Sequence, residues 1–217
     1  MKKYEMTVHE ALSELKVLGA RISKEISGAT FVDTNKHSNT KIDGLTVKEY
    51  EDGIKADYQS ISDLIARRSA IKKAVTLSNA KTEIIIKDDK RELKMTVAEA
   101  IEYKATGIAY KQKLLDRMTM QYNMVKSKLQ SSNGEYLEEK ANDYIHKLFG
   151  SKDKDVDAKT IEASKKVFIE GNTLDLIDPI KIADAIKALS DEIDFFNSKV
   201  DSAISVSNAV TIITFEV

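Results

Sequence analysis

The sequence predicts a mainly α-helical fold: long antiparallel helical hairpins forming a coiled-coil-like bundle, with a small β-hairpin and edge-strand element. Three observations carry this. One phrase recurs at helix starts, as "TVHEAL" at 7–12, "TVKEYE" at 46–51 and "TVAEAI" at 96–101. Heptad-like apolar seams follow those starts. A second phrase, "SNA", twice precedes a β-branched run, in "SNAKTEIII" at 78–86 and "SNAVTIITF" at 207–215.

In each TVxE phrase the threonine is placed to cap a helix. Its hydroxyl accepts from the backbone N–H three residues on, and the glutamate there reaches back to the cap's own N–H. Thr7 with Glu10, Thr46 with Glu49 and Thr96 with Glu99 are therefore read as structural pairs, each cap worth about 1 kcal/mol. From Thr7 the seam runs Val8, Leu12, Leu15, Ile22, Ile26. From Thr46 it runs Val47, Tyr50, Ile54, Ile61, Leu64, Ile71, Val75, interrupted by Asp57 and Arg68. From Thr96 it runs Val97, Ile101, Ile108, Leu115, Met118, Tyr122, Val125, Leu129, with Lys104 and Lys111 intruding. A fourth seam, Ile182 to Ala203, begins after Pro179, a residue favoured in a helix's first turn. Spacings of three and four sustained over several turns predict helices of coiled-coil length.

Asn79 and Asn208 read as helix stops, because Asn adopts the left-handed conformation that a helix C-terminus often uses. Residues 82–95 then read as a hairpin turning at "KDDK", and the alternating Ile213, Phe215 and Val217 as an edge strand. "ATFVD" at 29–33 and "VFIEGNTLDLID" at 167–178 are further strand candidates. The order of capped helix, strand-bearing connection, long helix, SNA stop and strand suggests an internal duplication. It divides the chain into a unit at 1–90 and a second at 91–217, the latter with an inserted segment at 131–164 that carries a helix near 135–149 and a charged linker, "GSKDKDVDAK".

Composition narrows the function classes. Thirty-four basic and 35 acidic residues give the 217-residue chain a net charge of -1, with no global attraction toward nucleic acid or an anionic membrane. There is no cysteine, which excludes disulfides, thiolate metal sites and cysteine nucleophiles. The start "MKKYEMTVHE" lacks a secretory apolar stretch, and the longest uncharged run, at 202–215, is too short and polar to span a bilayer. A cytoplasmic protein is expected.

The stretch "NAKTEIIIKDDKRELKMTVAEAI", a long helix after it, and the C-terminal "SNAVTIITFEV" resemble the septicolysin-like family of small helical bacterial and phage proteins. The resemblance covers residues 46–130 and 165–217, and the segment at 131–164 departs from the compact family pattern. It implies a helical hairpin core, oligomerisation and a phage or prophage setting in a bacterial host, with no established chemistry.

No catalytic signature is legible. His9, His37 and His146 are scattered without metal-ligand spacing, and GxxxxGK, GxGxxG and GxSxG are absent. No enzyme, cofactor or metal is expected. The distinctive cluster is "ARRSAIKKA" at 66–74, with Arg67, Arg68 and Lys72 on one helix and Arg68 placed in its seam. A seam arginine requires a partner. That partner is either a carboxylate fixing register or an anionic ligand gripped by arginine forks. Lys104 and Lys111 would add charge to such a pocket, and Tyr103 and Tyr110 could stack on a base. Narrow seams call for further helices, so a homo-oligomer is expected. The leading functional expectation is a non-enzymatic phage accessory protein that sequesters a small anionic, nucleotide-like immune signal in a basic interhelical or intersubunit pocket. The alternative is a structural or assembly protein of a virion that acts through helical contacts.

Overall fold

The computed structural model describes residues 2–150 and 157–217. It is mainly helical, with small two-stranded antiparallel sheets. In chain order the elements are β1 (Lys3–Thr7), α1 (Val8–Gly28), β2 (Lys41–Ile42), β3 (Leu45–Thr46), α2 (Val47–Asn79), β4 (Glu83–Lys87) and β5 (Glu92–Thr96). A helix then runs as α3 (Val97–Glu102), a π turn (Tyr103–Gly107) and α4 (Ile108–Ser132). The order is completed by α5 (Glu135–Phe149), α6 (Ala158–Asn172), α7 (Ile182–Val210) and β6 (Ile212–Glu216).

The chain forms two compact units. One comprises residues up to Thr106 together with Phe195–Val217, the other Gly107–Asp194. They divide the chain elsewhere than at residue 90. α7 gives its first part to the second unit and its remainder to the first.

All three TVxE phrases build the caps their chemistry requires. In each, the threonine hydroxyl accepts from the glutamate N–H and the glutamate carboxylate accepts from the threonine N–H. Placed immediately before helices, all three threonines also end strands, Thr46 the two-residue β3 and Thr7 and Thr96 the longer β1 and β5. The strands then pair across the two repeated sequences: β1 with β6 from Lys3↔Glu216 to Thr7↔Ile212, and β4 with β5 from Lys87↔Glu92 to Glu83↔Thr96. The junctions match atom for atom. Val8 N–H donates to Thr211 O at 2.9 Å and Val97 N–H to Thr82 O at 2.9 Å. Thr211 N–H donates to Ser207 O at 2.9 Å and Thr82 N–H to Ser78 O at 2.8 Å.

The cores of the two halves match as well. One gathers Val8, Ala11, Leu18, Ile71, Val75, Ile213 and Phe215. In the other, Val97, Ala100, Val200, Ile84 and Ile86 are all buried at the corresponding places. The π turn accounts for the register offset between the repeats. Leu18 follows Ala11 by two helical turns, whereas Ile108 follows Ala100 by one residue more, and a π turn absorbs one extra residue without breaking the helix.

α1 and α2 pack antiparallel. Glu14 meets Arg67, while the last turn of α1 shares a cavity with Asp57, Ser60 and Ile61 near the start of α2. In the second unit, α5 and α6 pack through stacked Tyr144 and Phe168, with ring centroids 4.7 Å apart, and a Lys165–Glu138 ion pair.

Four local expectations are corrected. Residues 29–33 form no strand: no segment pairs with them, and a lone strand leaves its backbone unpaired. Residues 167–172 are helical, the end of α6. Its register is set by Asp157, whose carboxylate accepts from Lys159 and Thr160 N–H, and by Phe168 packing on α5, so β-branched propensity is overridden. Asn79 and Asn208 do not enter the left-handed region. The stop comes from the Ser78 and Ser207 carbonyls accepting from Thr82 and Thr211. Pro179 precedes α7 rather than opening it, and the Asp178 carboxylate accepts from Ile182 N–H at 2.8 and 3.0 Å. One hairpin went unread in "IDGL". Asp43 and Gly44 both have positive φ, the requirement of a tight two-residue loop between β2 and β3. Of the linker, 151–156 lie outside the described residues.

Candidate functional site

The seven residues selected from the sequence fall into separate environments. On α2, Arg67 is the inward-facing arginine and Arg68 the exposed one, reversing the predicted seam. Two adjacent helical residues point about 100° apart, so the one-residue difference decides which is enclosed. Arg67 Nε donates to Glu14 Oε1 at 2.5 Å. Its guanidinium lies 4.5 Å from the Tyr4 ring centroid and 5.6 Å from that of Phe215, rings which stack on each other across β1 and β6. The Glu14 hydrogen bond raises the Arg67 pKa above its ordinary value, against the opposing effect of burial.

Arg68 makes no hydrogen bond or ion pair among the described residues. It lines an open cavity of about 370 Å³ with Gly19, Ile22, Ser23, Ile65 and Ser69, and none of the other six candidates lines it. Lys72 is exposed one turn further on. Lys104, at the π turn, places Nζ 2.6 and 2.7 Å from the two carboxylate oxygens of Asp201. Tyr103 beside it packs edge-on against Phe196, centroids 4.9 Å apart. In the second unit Lys111 is hydrogen-bonded to Glu192, and Tyr110 is 72% exposed with Lys113 Nζ 5.8 Å from its ring centroid.

Three of the five cations are thus engaged by carboxylates of the same chain. Carboxylates are likewise committed at the helix starts, where Glu10, Glu49 and Glu99 titrate below the ordinary glutamate value because the threonine backbone N–H, and then its hydroxyl, donate to them. Among the described residues no group of three or more His, Asp or Glu is arranged to hold a metal, and no helix is long and apolar enough to cross a membrane.

The second unit holds a feature the sequence reading missed. The irregular segment 173–181 and α4 enclose a cleft of about 440 Å³, lined mainly by Met124, Val125, Leu176, Ile177, Pro179 and Ile180. Ile177 is 91% exposed. The segment is pinned at both ends: Asn133 exchanges two 3.0 Å hydrogen bonds with the Leu174 backbone, and Asp178 caps α7. Its signal was the apolar alternation in "LDLIDPI", which was absorbed into a strand assignment.

Comparison with models of known families, with curated proteins and with solved structures finds no match to this chain.

Proposed function

We propose that this protein is non-enzymatic and acts by binding other protein surfaces through its helices, as a structural or assembly component. One observation carries the reading: Arg67, Lys104 and Lys111 are each engaged by a carboxylate of their own chain, while large apolar side chains stand exposed at helical spacing. Cations already paired have little to offer a small anion, and exposed apolar faces gain from a partner. The phage or prophage setting derives from the septicolysin-like resemblance.

Arg68 favours a second reading within the same binding class. As a cation without a carboxylate, beside the hydroxyls of Ser23 and Ser69, it could hold a phosphate of a nucleotide-like signal at the α1–α2 cavity.

Native mass spectrometry tests the pair of readings on protein taken directly from cells and again after denaturation and refolding. The assembly reading expects an oligomer or a complex with another protein whose subunit masses are unchanged by refolding. Loss of a small-molecule mass on refolding, abolished by Arg68→Met, would replace it with sequestration.

A further inference from the structure

β4 belongs to a two-stranded sheet and pairs with β5 along one edge only. The ladder bonds from Val97 N–H to Thr82 O and from Asp88 N–H to Arg91 O fix which backbone groups face β5: those of Thr82, Ile84, Ile86 and Asp88. The N–H and C=O groups of Glu83, Ile85 and Lys87 therefore point the other way, and no strand among the described residues pairs with them. Beside this edge lies an open groove of about 560 Å³, whose second wall is the flank of α7 bearing Lys199, Ser202, Ala203, Val206 and Val210. Ile85 is 50% exposed, Val206 63% and Val210 71%. Every residue of β4 lines the groove, so it offers a full strand of backbone as well as an apolar wall.

The other half has the same kind of edge on β6, where the backbone groups of Ile212, Thr214 and Glu216 face outward. The helix that packs beside it, α2, guards it differently. Five residues before the SNA phrase, α7 has Ser202 and α2 has Lys73; immediately after the phrase stand Val210 and Lys81 respectively. Flanking lysines are a common protection of a strand edge. α7 carries one cation on its own wall, Lys199 at the place of Ala70, exposed on the wall's first turn.

The side chains on the β4 edge are also self-complementary. When β4 is laid antiparallel on a second β4 with Ile85 opposite Ile85, each Glu83 stands opposite a Lys87, and the three outward backbone pairs fall into hydrogen-bonding register. Sliding the strands by two residues either way brings Lys87 opposite Lys81 or Glu83 opposite Asp89, which like charge disfavours. The same operation on β6, centred on Thr214, sets Ile212 against Glu216 and gains no charge pair. Within the chain Glu83 already meets Lys94 at 2.7 Å, and Lys87 lies opposite Glu92. The added strand extends these contacts into a row that alternates in sign, from Glu92 to Lys87 to Glu83 of the second copy.

We propose that two copies of this chain associate edge to edge through β4, forming a four-stranded antiparallel sheet in the order β5, β4, β4, β5. This rests on the assembly reading and names its partner as the chain itself. The twofold axis stands perpendicular to the sheet at Ile85. Ile84 and Ile86 of the second copy then face the same side as those of the first, over the groove walls formed by Ala203, Val206 and Val210.

Sedimentation equilibrium on the full chain reads the association, and charge exchange reads the register. Glu83→Lys sets a lysine against Lys87 of the second copy, and Lys87→Glu sets a glutamate against Glu83. Each, at an exposed position, is expected to weaken self-association at least about tenfold while leaving the circular dichroism of the chain unchanged. An equal mixture of the two variants restores opposite charges in both pairs, and should form heterodimers at least about tenfold tighter than either variant's homodimer. Amide exchange followed by NMR gives the edge directly: Glu83, Ile85 and Lys87 N–H should slow as concentration rises, and Thr214 N–H on β6 should not. A chain that stays monomeric at all concentrations overturns the inference, and so does protection of the β4 edge by a different protein, which would still uphold the assembly reading. A dimer indifferent to both variants, with Ile85 N–H unprotected, overturns the β4 contact and leaves the assembly reading intact.

Discussion

The two halves of the first unit have the same backbone junctions and different chemistry at the same place. Where α1 meets α2, Glu14 and Arg67 form an ion pair capped by the Tyr4 and Phe215 rings. At the corresponding place in the other half, Tyr103 meets Phe196, which is 1% exposed. A two-turn strand–helix junction therefore tolerates either a salt bridge or an aromatic pair, provided that Val8 or Val97 below it stays buried and Ser207 or Ser78 ends the preceding helix. The first solution retains some solvent access, with both side chains about a quarter exposed. The second closes the site. A further difference concerns connectivity: β4 and β5 are joined by a tight turn held by Asp88, whereas β1 and β6 bring the chain ends together, with Lys2 and Val217 exchanging backbone hydrogen bonds of 2.9 and 3.2 Å.

The sharpest way to break this comparison is to exchange the pairs. Placing Arg at Phe196 and Glu at Tyr103 should prevent stable folding, because it puts a charge at a fully enclosed position. Phe196→Ala alone is expected to cost about 3–5 kcal/mol in denaturant unfolding. The reverse exchange, Glu14→Tyr with Arg67→Phe, should be close to neutral, since apolar replacements of enclosed ion pairs commonly are. An equal loss from both exchanges would mean that the two junctions are not equivalent.

A smaller effect is expected from Arg67→Met, about 1 kcal/mol, between the values for exposed and buried pairs. High salt should reduce it only in part, because the guanidinium also rests on two rings.

The smallest and most symmetric changes belong to the caps. Thr7→Ala and Thr96→Ala should each cost about 1 kcal/mol and by similar amounts, measured as shifts in chemical denaturation. Their glutamates add a pH dependence. Glu10 and Glu99 have folded pKa values below the ordinary 4.5, so their contribution is fully present above the unfolded value and fades as pH falls through the lower folded value. Stability curves of the wild type and of Glu10→Gln should therefore converge as pH drops below about 4.5. Curves that remain parallel there would show that the carboxylate does not act through this cap.

Much of the fold was legible because its signals are local. A capping box is complete within four residues, so Thr7, Thr46 and Thr96 could be placed without knowing any neighbour. The hairpin at 82–95 and the strand at the C-terminus were legible for the same reason, as were α2, α5 and α7 from their periodicity. The errors arose where a choice depended on what lies alongside. "VFI" at 167–169 has strand propensity and became helix because Phe168 stacks on Tyr144, in another helix. "ATFVD" had the composition of a strand and no partner.

The candidate site was less legible than the fold, and the reason is angular. Sequence spacing put Arg68 in the seam, yet Arg67 faces Glu14. A difference of one residue, about 100° around the helix, exchanges a free cation for a paired one. The pairing of Lys104 with Asp201 and of Lys111 with Glu192 joins residues far apart in the chain, and no spacing rule connects them. By itself the sequence determined where the three TVxE helices start, where the hairpin at 82–95 and the C-terminal strand lie, and that the capping and SNA phrases recur, because those properties are settled within a few residues by hydrogen bonds and side-chain geometry. The tertiary structure alone decided that β1 pairs with β6, which cations are neutralised and which apolar side chains stay exposed. Each of those depends on distant side chains brought together by packing.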